Sequence, residues 1–371
     1  MTCSVTQNRF VEAAREIVVL RALYLGDLLC AIPFFRALRE AAPRARIALA
    51  SLPWAHAFVE HFAEFIDEFI AFPGFPGLLE QSVEPRRVGR FLLQMQARQF
   101  DLAIQLQGSG RHANEAISLF GADRMAGYYT SGDYCPDKET FLAYPTDVPE
   151  IHRHLKLLER LGISAADDAL FFPVREEDDA RLAEARILHR LGSDFICVHA
   201  GGKLATRRWP AERFAAVAHA LSADGFAIAL TGVEGERAIM NAVEQQLEFG
   251  VANLCGQTDL GLLVALVRRA RLVITNDTGM SHIAAAVRTP SVVIGLGSDL
   301  QRWAPLDRRL HRVVSRPVDC RPCEFADCPI GFTCAESISP QMVIDVCRQT
   351  LSESRTNSLG REIMSPAPAA Y

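Results

Sequence analysis

The segment from residue 271 to residue 297 constrains the fold more than any other part of this sequence. It contains two apolar runs, 272–275 and 291–295, rich in the β-branched residues typical of buried parallel strands. Between them lie a polar turn, 276–279, and a run of small residues that favours a helix. A strand, a turn, a helix and a second strand form the repeating unit of an open α/β sheet, so the segment predicts that class of fold.

The turn within this unit predicts an anion site. Ligands of open α/β sheets bind at the carboxyl ends of the strands. A helix that begins at Thr278 or Gly279 directs free backbone N–H groups and the positive end of its dipole toward that place. Asp277 and His282 lie beside the turn. We therefore expect this segment to hold a phosphate group.

Strand-like runs alternate with helical patterns in two series along the 371 residues, which are too many for one ordinary domain. We predict two doubly wound domains, at residues 1–165 and 177–335, with the chain between them as a linker. A last helix is predicted at 336–352. Residues 353–371, rich in Ser, Pro and Ala, are predicted to be disordered. Residues 130–150, rich in acidic residues and proline, are predicted to form a rim loop.

Charge and hydropathy exclude several classes of protein. The net charge is −5 with both signs interspersed, which argues against a nucleic-acid partner. No uncharged apolar stretch reaches the roughly 18 residues of a membrane-spanning helix, and no signal peptide is recognisable. We therefore expect a cytoplasmic protein, in which the ten cysteines are reduced thiols by default.

A Gly-Asp pair follows the first predicted strand. Gly26 permits close backbone approach, and Asp27 is expected at or next to the N-cap of the next helix. Two interpretations of Asp27 remain open. As a cap it stabilises the helix by about 1 kcal/mol; as a carboxylate at a strand end it can act as a general base.

Two glycine turns of the second series also follow strands. Gly201 and Gly202 precede a basic loop with Lys203 and Arg207, which suits a diphosphate, although a solvated basic loop is the alternative. Glu236 lies in the first helical turn after the next strand, where a carboxylate can cap the helix or bind ribose hydroxyls.

A cluster of cysteines near the end of the second series is a candidate metal site. Four thiolates can ligate zinc or iron, but only the first pair has the usual zinc-ribbon spacing. Reduced structural thiols, or an occasional disulfide, are the alternative. The residues are Cys320, Cys323, Cys328 and Cys334.

Four motifs in register resemble glycosyltransferase family 9, the ADP-heptose:lipopolysaccharide heptosyltransferases. They are LRALYLGDLLCAIPFFRALRE, HAGGKLATRRWPAERFAAVA, LTGVEGER and VITNDTGMSHIAAAVRTPSVVIGLG. The resemblance implies a GT-B fold: two Rossmann-like, doubly wound domains facing a cleft, with a C-terminal helix crossing back to the first domain. The first domain would bind the acceptor and the second the nucleotide-sugar donor.

The resemblance also implies residue roles. Asp27 matches the family's proposed catalytic base, with Gly26 on the acceptor side. Arg207 stands where many members carry a phosphate-binding lysine, and an arginine keeps the charge but offers a planar fork. Glu236 falls near the family's nucleoside-contacting glutamate. The implied donor-binding residues are Gly201, Gly202, Lys203, Arg207, Glu236, Asp277, Thr278, Gly279 and His282.

The implied activity is inverting transfer of heptose from ADP-heptose to a lipopolysaccharide inner-core acceptor. No paired carboxylates of the DxD type occur near the diphosphate site, so no cofactor is expected to be required. Peripheral contact with the inner face of the inner membrane is expected at most. Two alternatives stay open: a family member that glycosylates a protein or a metabolite, and a non-catalytic nucleotide-sugar binding protein.

Overall fold

The chain folds into two compact α/β units, Met1–Pro173 and Val174–Tyr371. The computed structural model describes residues 10–323 and 325–363, with side chains up to residue 354. Within these residues each unit contains one six-stranded sheet in which every paired strand is parallel. The predicted doubly wound α/β class is therefore confirmed. The division lies between residues 165 and 177, where the two predicted series meet.

The first unit has the strand order β3-β2-β1-β4-β5-β6. Its strands are β1 (Glu16–Leu20), β2 (Arg46–Ser51), β3 (Glu68–Ala71), β4 (Leu102–Gln105), β5 (Arg124–Tyr129) and β6 (Phe141–Ala143). Its helices are α1 (Leu25–Cys30), α2 (Ile32–Ala41), α3 (Ala55–His61), α4 (Pro85–Ala97), α5 (Ala113–Ser118) and α6 (Glu150–Arg160). The order reverses between β1 and β4, which is where a doubly wound sheet opens a crevice for ligands.

The second unit repeats this arrangement with the order β12-β11-β10-β7-β8-β9. Its strands are β7 (Phe195–His199), β8 (Ala227–Leu230), β9 (Ala252–Asn253), β10 (Leu272–Asn276), β11 (Ser291–Gly295) and β12 (His311–Ser315). Its helices are α7 (Glu176–Glu184), α8 (Ile187–Leu191), α9 (Ala211–Ala223), α10 (Arg237–Glu244), α11 (Leu260–Arg269), α12 (Gly279–Ala286), α13 (Leu300–Trp303), α14 (Thr333–Glu336) and α15 (Pro340–Ile363). Here the reversal lies between β7 and β10.

The central strands are buried on both faces, as apolar β-branched runs predict for parallel sheets. All five residues of β7, β10 and β11 are buried. Each large apolar side chain buried in this way stabilises the fold by about 1.5–3 kcal/mol. Trp209 is also buried, and its indole N–H donates to the carbonyl oxygen of Ile338 at 3.2 Å, which ties the loop before α9 to the segment before α15.

The last helix differs from the predicted one at both ends. It begins at Pro340 rather than at residue 336, because a proline suits the first turn of a helix. It continues to Ile363, so residues 353–363 are helical and were wrongly predicted as disordered. Proline, the strongest helix breaker, first recurs at Pro366. The remaining tail, 364–371, lies outside the described residues.

The side chains of α15 up to residue 354 pack against α9, β11 and β12 of their own unit. Glu353 pairs with Arg312 at 2.6 Å, and Arg348 pairs with Asp224 at 2.8 Å. These ion pairs and apolar contacts explain why the helix extends past residue 352. The predicted crossing to the first domain stays a prediction.

Two edge strands, β6 and β12, were missed by the sequence patterns. The predicted rim loop at 130–150 contains β6, which has only three residues. In β12 only two of five residues are buried, so its apolar signal is weak. Along the part of the chain that is described, no helix has both the length and the apolar character that crossing a bilayer requires.

Candidate functional site

Asn276 joins two of the predicted motifs at the reversal point of the second sheet. Its side-chain amide donates to the carbonyl oxygens of Ala200 at 3.0 Å and Gly201 at 2.9 Å. Its side-chain oxygen accepts the backbone N–H of Trp209 at 3.0 Å. Asn276 is fully buried at the end of β10, so these bonds fix the glycine turn after β7 beside the turn that precedes α12.

Glu236 fixes the same glycine turn from the other side. One carboxylate oxygen accepts the N–H of Gly202 at 2.8 Å, and the other accepts the N–H of Val233 at 3.0 Å. A Cβ on Gly201 would collide with this carboxylate, so a larger residue at this position would displace Glu236. A Cβ on Gly202 would lie 3.5 Å from the methyl group of Thr278, which shows that the two turns adjoin. The bonds of Glu236 support the capping interpretation, and its nucleoside contact stays a prediction.

The two neighbouring arginines of the basic loop differ in their contacts. Arg208 donates to the carbonyl oxygen of Gly202 at 2.5 Å and to that of Lys203 at 3.0 Å, so it holds the loop together. Arg207 has a buried Nε atom with no hydrogen-bond partner among the described residues. Lys203 is exposed. Of these cations, Arg207 is therefore the one whose buried N–H group calls for a ligand.

Asp277 is the least satisfied charged group among the described residues of the second unit. Its side chain is buried, at 7% exposure, and neither carboxylate oxygen has a hydrogen-bond partner within the described residues. An unpaired buried carboxylate costs several kcal/mol. Burial lowers the pKa of Arg308, and the charge of Asp277 counteracts part of that shift. Because such a carboxylate lowers the stability of the empty protein, Asp277 indicates a ligand that donates hydrogen bonds to it.

The helix that follows Asp277 supplies the other half of an anion site. Thr278 is the N-cap of α12, and its side chain makes no capping bond. The first N–H groups of the helix therefore lack the partner that a capping side chain supplies. His282 is buried one turn further along. This arrangement agrees with the phosphate site predicted from the sequence, although occupancy by a phosphate stays a prediction.

Two hydroxyl groups at the same edge of the sheet were missed. Thr231, directly after β8, and Ser298, three residues after β11, have buried side-chain oxygens with no hydrogen-bond partner among the described residues. Among the described residues of the second unit, buried side-chain atoms without a hydrogen-bond partner occur in Thr231, Ser298, Arg207 and Asp277 alone. All four follow the carboxyl ends of strands. A polar residue immediately after a buried strand, as at Thr231, was the available signal.

His199, at the end of β7, is a further buried group that the sequence patterns did not single out. Its Nδ1 atom lies 2.9 Å from the carbonyl oxygen of Thr231, and its Nε2 atom lies 3.8 Å from the Glu236 carboxylate. Burial lowers the pKa of His199, and the Glu236 charge opposes that shift. His199 therefore links the β8 loop to the carboxylate that holds the glycine turn.

Asp27, in the first unit, lies at the reversal point between β1 and β4. It is the third residue of α1, whose N-cap is Tyr24, so the expected place at or next to the N-cap is corrected. One carboxylate oxygen accepts the N–H of Tyr24 at 3.3 Å, and the other lies 3.7 Å from a guanidinium nitrogen of Arg21. The side chain is 19% exposed. Asp27 thus caps its own helix and still reaches solvent; Gly26 lies in the same turn.

The cysteine cluster lines one small cavity, of about 20 Å³. The described residues contain no group of three or more His, Cys, Asp or Glu side chains placed to hold a metal ion. The Cys328 sulfur instead accepts the N–H of Phe332 at 3.1 Å, and burial raises the pKa of Cys334. The cluster as a zinc or iron site stays a prediction, and reduced structural thiols stay the alternative. The lining cysteines are Cys320, Cys323, Cys328 and Cys334.

Comparison with known proteins also indicates a heptosyltransferase family. The family model "Glycosyltransferase family 9 (heptosyltransferase)" matches residues 88–332, which include the donor-side candidates but not Asp27. Lipooligosaccharide heptosyltransferase 2 of Haemophilus ducreyi is 26% identical over 299 residues, 76% of this chain and 82% of that protein.

Solved structures show the same fold. A glycosyl transferase family 9 protein from Veillonella parvula matches with a TM-score of 0.77 and 23% identity, covering 91% of this chain and 98% of that one. The ADP-heptose lps heptosyltransferase II of E. coli matches with a TM-score of 0.69 and 19% identity, covering 92% and 99%. Both units thus have the Rossmann-like order of the GT-B class. The chain belongs to glycosyltransferase family 9, the heptosyltransferase family, and is a glycosyltransferase.

Proposed function

We propose that this glycosyltransferase transfers heptose from ADP-heptose to an inner-core lipopolysaccharide acceptor, with inversion at the anomeric carbon. The observation that carries the donor assignment is Asp277, a buried carboxylate without hydrogen-bond partners among the described residues beside the first turn of α12. Sugar hydroxyl groups are hydrogen-bond donors, and they would satisfy both of its oxygens. The names of similar proteins support heptose as the sugar and lipopolysaccharide as the acceptor class.

On the donor side, the leaving group is a nucleoside diphosphate that gains negative charge as the glycosidic bond breaks. The N–H groups at the start of α12 and the Arg207 guanidinium would stabilise that charge, as preorganised donors do in other transferases. Thr278 and Gly279 provide the helix start, and the turn at Gly202 adjoins them. His282 supports the site from within α12. Binding of the diphosphate therefore draws on fixed groups that need little rearrangement.

On the acceptor side, Asp27 would accept the proton of the attacking hydroxyl group. Its carboxylate is held by Tyr24 and Arg21 yet remains partly exposed, which suits a general base. In a single displacement the acceptor oxygen forms a bond to the anomeric carbon while the bond to the diphosphate breaks. The proton goes to Asp27, and the product has the opposite anomeric configuration.

The test is a donor and acceptor screen with the purified protein. We expect release of ADP from ADP-heptose in the presence of a Kdo–lipid A acceptor, supplied with and without one heptose already attached. Mass spectrometry should show one heptose added, and NMR should show an anomeric configuration opposite to that of the donor. Transfer only to a peptide or a metabolite would replace the acceptor assignment. Tight ADP-heptose binding without turnover on any acceptor would favour the non-catalytic alternative.

We further propose that transfer requires no metal or other cofactor, because helix N–H groups and Arg207 supply the charge compensation. Dialysis against EDTA should leave the rate of ADP release within about two-fold of that of untreated enzyme. Metal analysis of the wild type and of Cys323→Ser provides the control for the cysteine cluster. Loss of turnover with EDTA, restored by one metal, would contradict the proposal.

A further inference from the structure

A buried ionic network lies directly behind Asp27 in the first unit. Arg21, at the end of β1, has a side chain with 0% exposure, and Glu150, at the start of α6, has one with 3%. A guanidinium nitrogen of Arg21 lies 3.1 Å from the Glu150 carboxylate. Burying such charges is costly, and a hydrophobic core of similar volume is often as stable. A network kept in spite of this cost calls for a role beyond packing.

The guanidinium of Arg21 contacts three elements that meet at the reversal point. Its Nε donates to the carbonyl oxygen of Asp27 at 2.7 Å, and Nη1 donates to that of Leu106, just after β4, at 2.5 Å. Its Nη2 atom faces both the Glu150 carboxylate and, at 3.7 Å, the Asp27 carboxylate. Arg21 therefore holds both the backbone and the side chain of Asp27 relative to the sheet.

Among the described ion pairs of the network, the charges balance when Asp27 is counted. Arg153 also pairs with Glu150, so two guanidinium groups share one buried carboxylate. His154, which faces the same carboxylate, adds no charge near neutral pH, because burial and the charge of Arg21 lower its pKa to about 4. One positive charge remains without a buried partner, and the carboxylate of Asp27 compensates it.

We propose that Arg21 is a positioning residue for the Asp27 carboxylate and that Glu150 holds Arg21 in the required orientation. This inference rests on the proposed role of Asp27 as the general base. Arg21 does not touch the reacting atoms; it acts by fixing the first turn of α1 and the direction of the carboxylate. Lysine at this position keeps the charge but cannot reach Asp27, Leu106 and Glu150 together, because it lacks the planar fork.

The test compares Arg21→Lys with Arg153→Lys in the intact protein. Arg153 is as deeply buried and also pairs with Glu150, but its other bonds go to the carbonyl oxygen of Pro145 and the ring of Tyr144. We expect Arg21→Lys to lower kcat about 10- to 100-fold, with KM for the donor and ADP affinity within about three-fold of wild type. Arg153→Lys should keep kcat within about three-fold of the wild-type value. Its melting temperature should nevertheless fall as much as that of Arg21→Lys.

Equal losses of kcat in both variants would overturn the inference, because they would reflect general destabilisation. Wild-type kcat in Arg21→Lys would overturn it as well. If Arg21→Lys does not fold, Glu150→Gln answers the same question, since it keeps the shape and removes the group that orients Arg21; lowered kcat supports the inference and unchanged kcat overturns it. Failure of the proposed function is distinguishable: the wild type then transfers no sugar, or Asp27→Asn turns over at the wild-type rate.

Discussion

The two units share one strand order but differ in whether the carboxylate at the reversal point has partners within the protein. At the reversal point of the first sheet, Asp27 is paired with Arg21 and Tyr24 without any ligand. At the corresponding point of the second sheet, Asp277 is more deeply buried and has no hydrogen-bond partner among the described residues. The same topology therefore carries a prearranged carboxylate in one unit and an unsatisfied one in the other.

On the roles proposed above, this difference separates a catalytic residue from a binding residue. A catalytic group has to be held in place before the substrate arrives, which pairing with fixed neighbours achieves. A binding group has to keep its hydrogen-bonding capacity for the ligand, and the cost is paid as lower stability of the empty protein. The comparison predicts that changes at Asp27 act mainly on turnover and that changes at Asp277 act on binding and stability.

Asp27→Asn gives the largest expected effect. The amide keeps the shape of the side chain but cannot accept the acceptor proton as a carboxylate does, so kcat should fall by roughly 10²–10⁴-fold. ADP-heptose affinity, measured by isothermal titration, should stay within about three-fold of wild type. Unchanged turnover would show that Asp27 serves only as a helix cap and would remove the contrast between the two units.

Asp277→Asn should show the reverse pattern. Removal of a buried unpaired charge should raise the free energy of unfolding of the empty protein by about 1–3 kcal/mol. Loss of hydrogen bonds between the sugar hydroxyls and a charged group should weaken ADP-heptose binding roughly 10- to 100-fold. ADP alone, which lacks the sugar, serves as the control ligand and should bind almost as before. Lower stability, or an equal loss for ADP, would contradict the assignment of Asp277 to the sugar.

Acidification tests whether the two units resemble each other in their buried histidines. Burial lowers the pKa of His154 in the first unit and of His311 in the second to about 4. In the unfolded chain a histidine takes up its proton near pH 6.5, whereas these two histidines stay neutral in the folded protein until about pH 4. Their contribution to the free energy of unfolding is therefore complete above pH 6.5 and is lost as the pH falls toward 4. Each histidine should lower the free energy of unfolding by about 2 kcal/mol as the pH falls from 7 to 5.

The measurement is urea denaturation at the two pH values, with His154→Gln and His311→Gln as matched variants. Between pH 7 and pH 5 the free energy of unfolding of each variant should fall by about 2 kcal/mol less than that of the wild type, whatever its value at pH 7. A wild-type loss that neither variant reduces would place the acid sensitivity elsewhere. A reduction in only one variant would show that the units differ in this respect too.

Much of this fold could be predicted because buried parallel strands have a strong sequence signal. The runs at β1, β10 and β11 are apolar and β-branched, and the polar turn after β10 marks its carboxyl end. The edge strands β6 and β12 were missed because short, partly exposed strands lack that signal. The end of α15 was missed because its stabilising partners, such as Arg312, lie far away in sequence.

The site was predictable as a set of motifs but not as a set of contacts. The sequence indicated that Asp27, Arg207 and Asp277 follow strands, and the folded chain places them there. It did not indicate that Glu150, 129 positions away, pairs with Arg21, since only the topology brings α6 to the end of β1. Nor did spacing show that the four cysteines line one cavity.

The smallest expected effect concerns the two arginines of the basic loop, where two neighbouring residues repeat the contrast between a paired group and an unsatisfied one. Arg207→Ala should weaken ADP binding about 10-fold, because it removes a charge-assisted hydrogen bond to the diphosphate, and should leave the melting temperature unchanged. Arg207→Lys should lose only a few-fold, since a lysine retains the charge. Arg208→Ala removes the same charge but also the bonds that hold the loop, so it should lower the melting temperature. If Arg207→Ala binds ADP like the wild type, the diphosphate lies elsewhere along this edge, and the unsatisfied hydroxyls of Thr231 and Ser298 become the next positions to substitute.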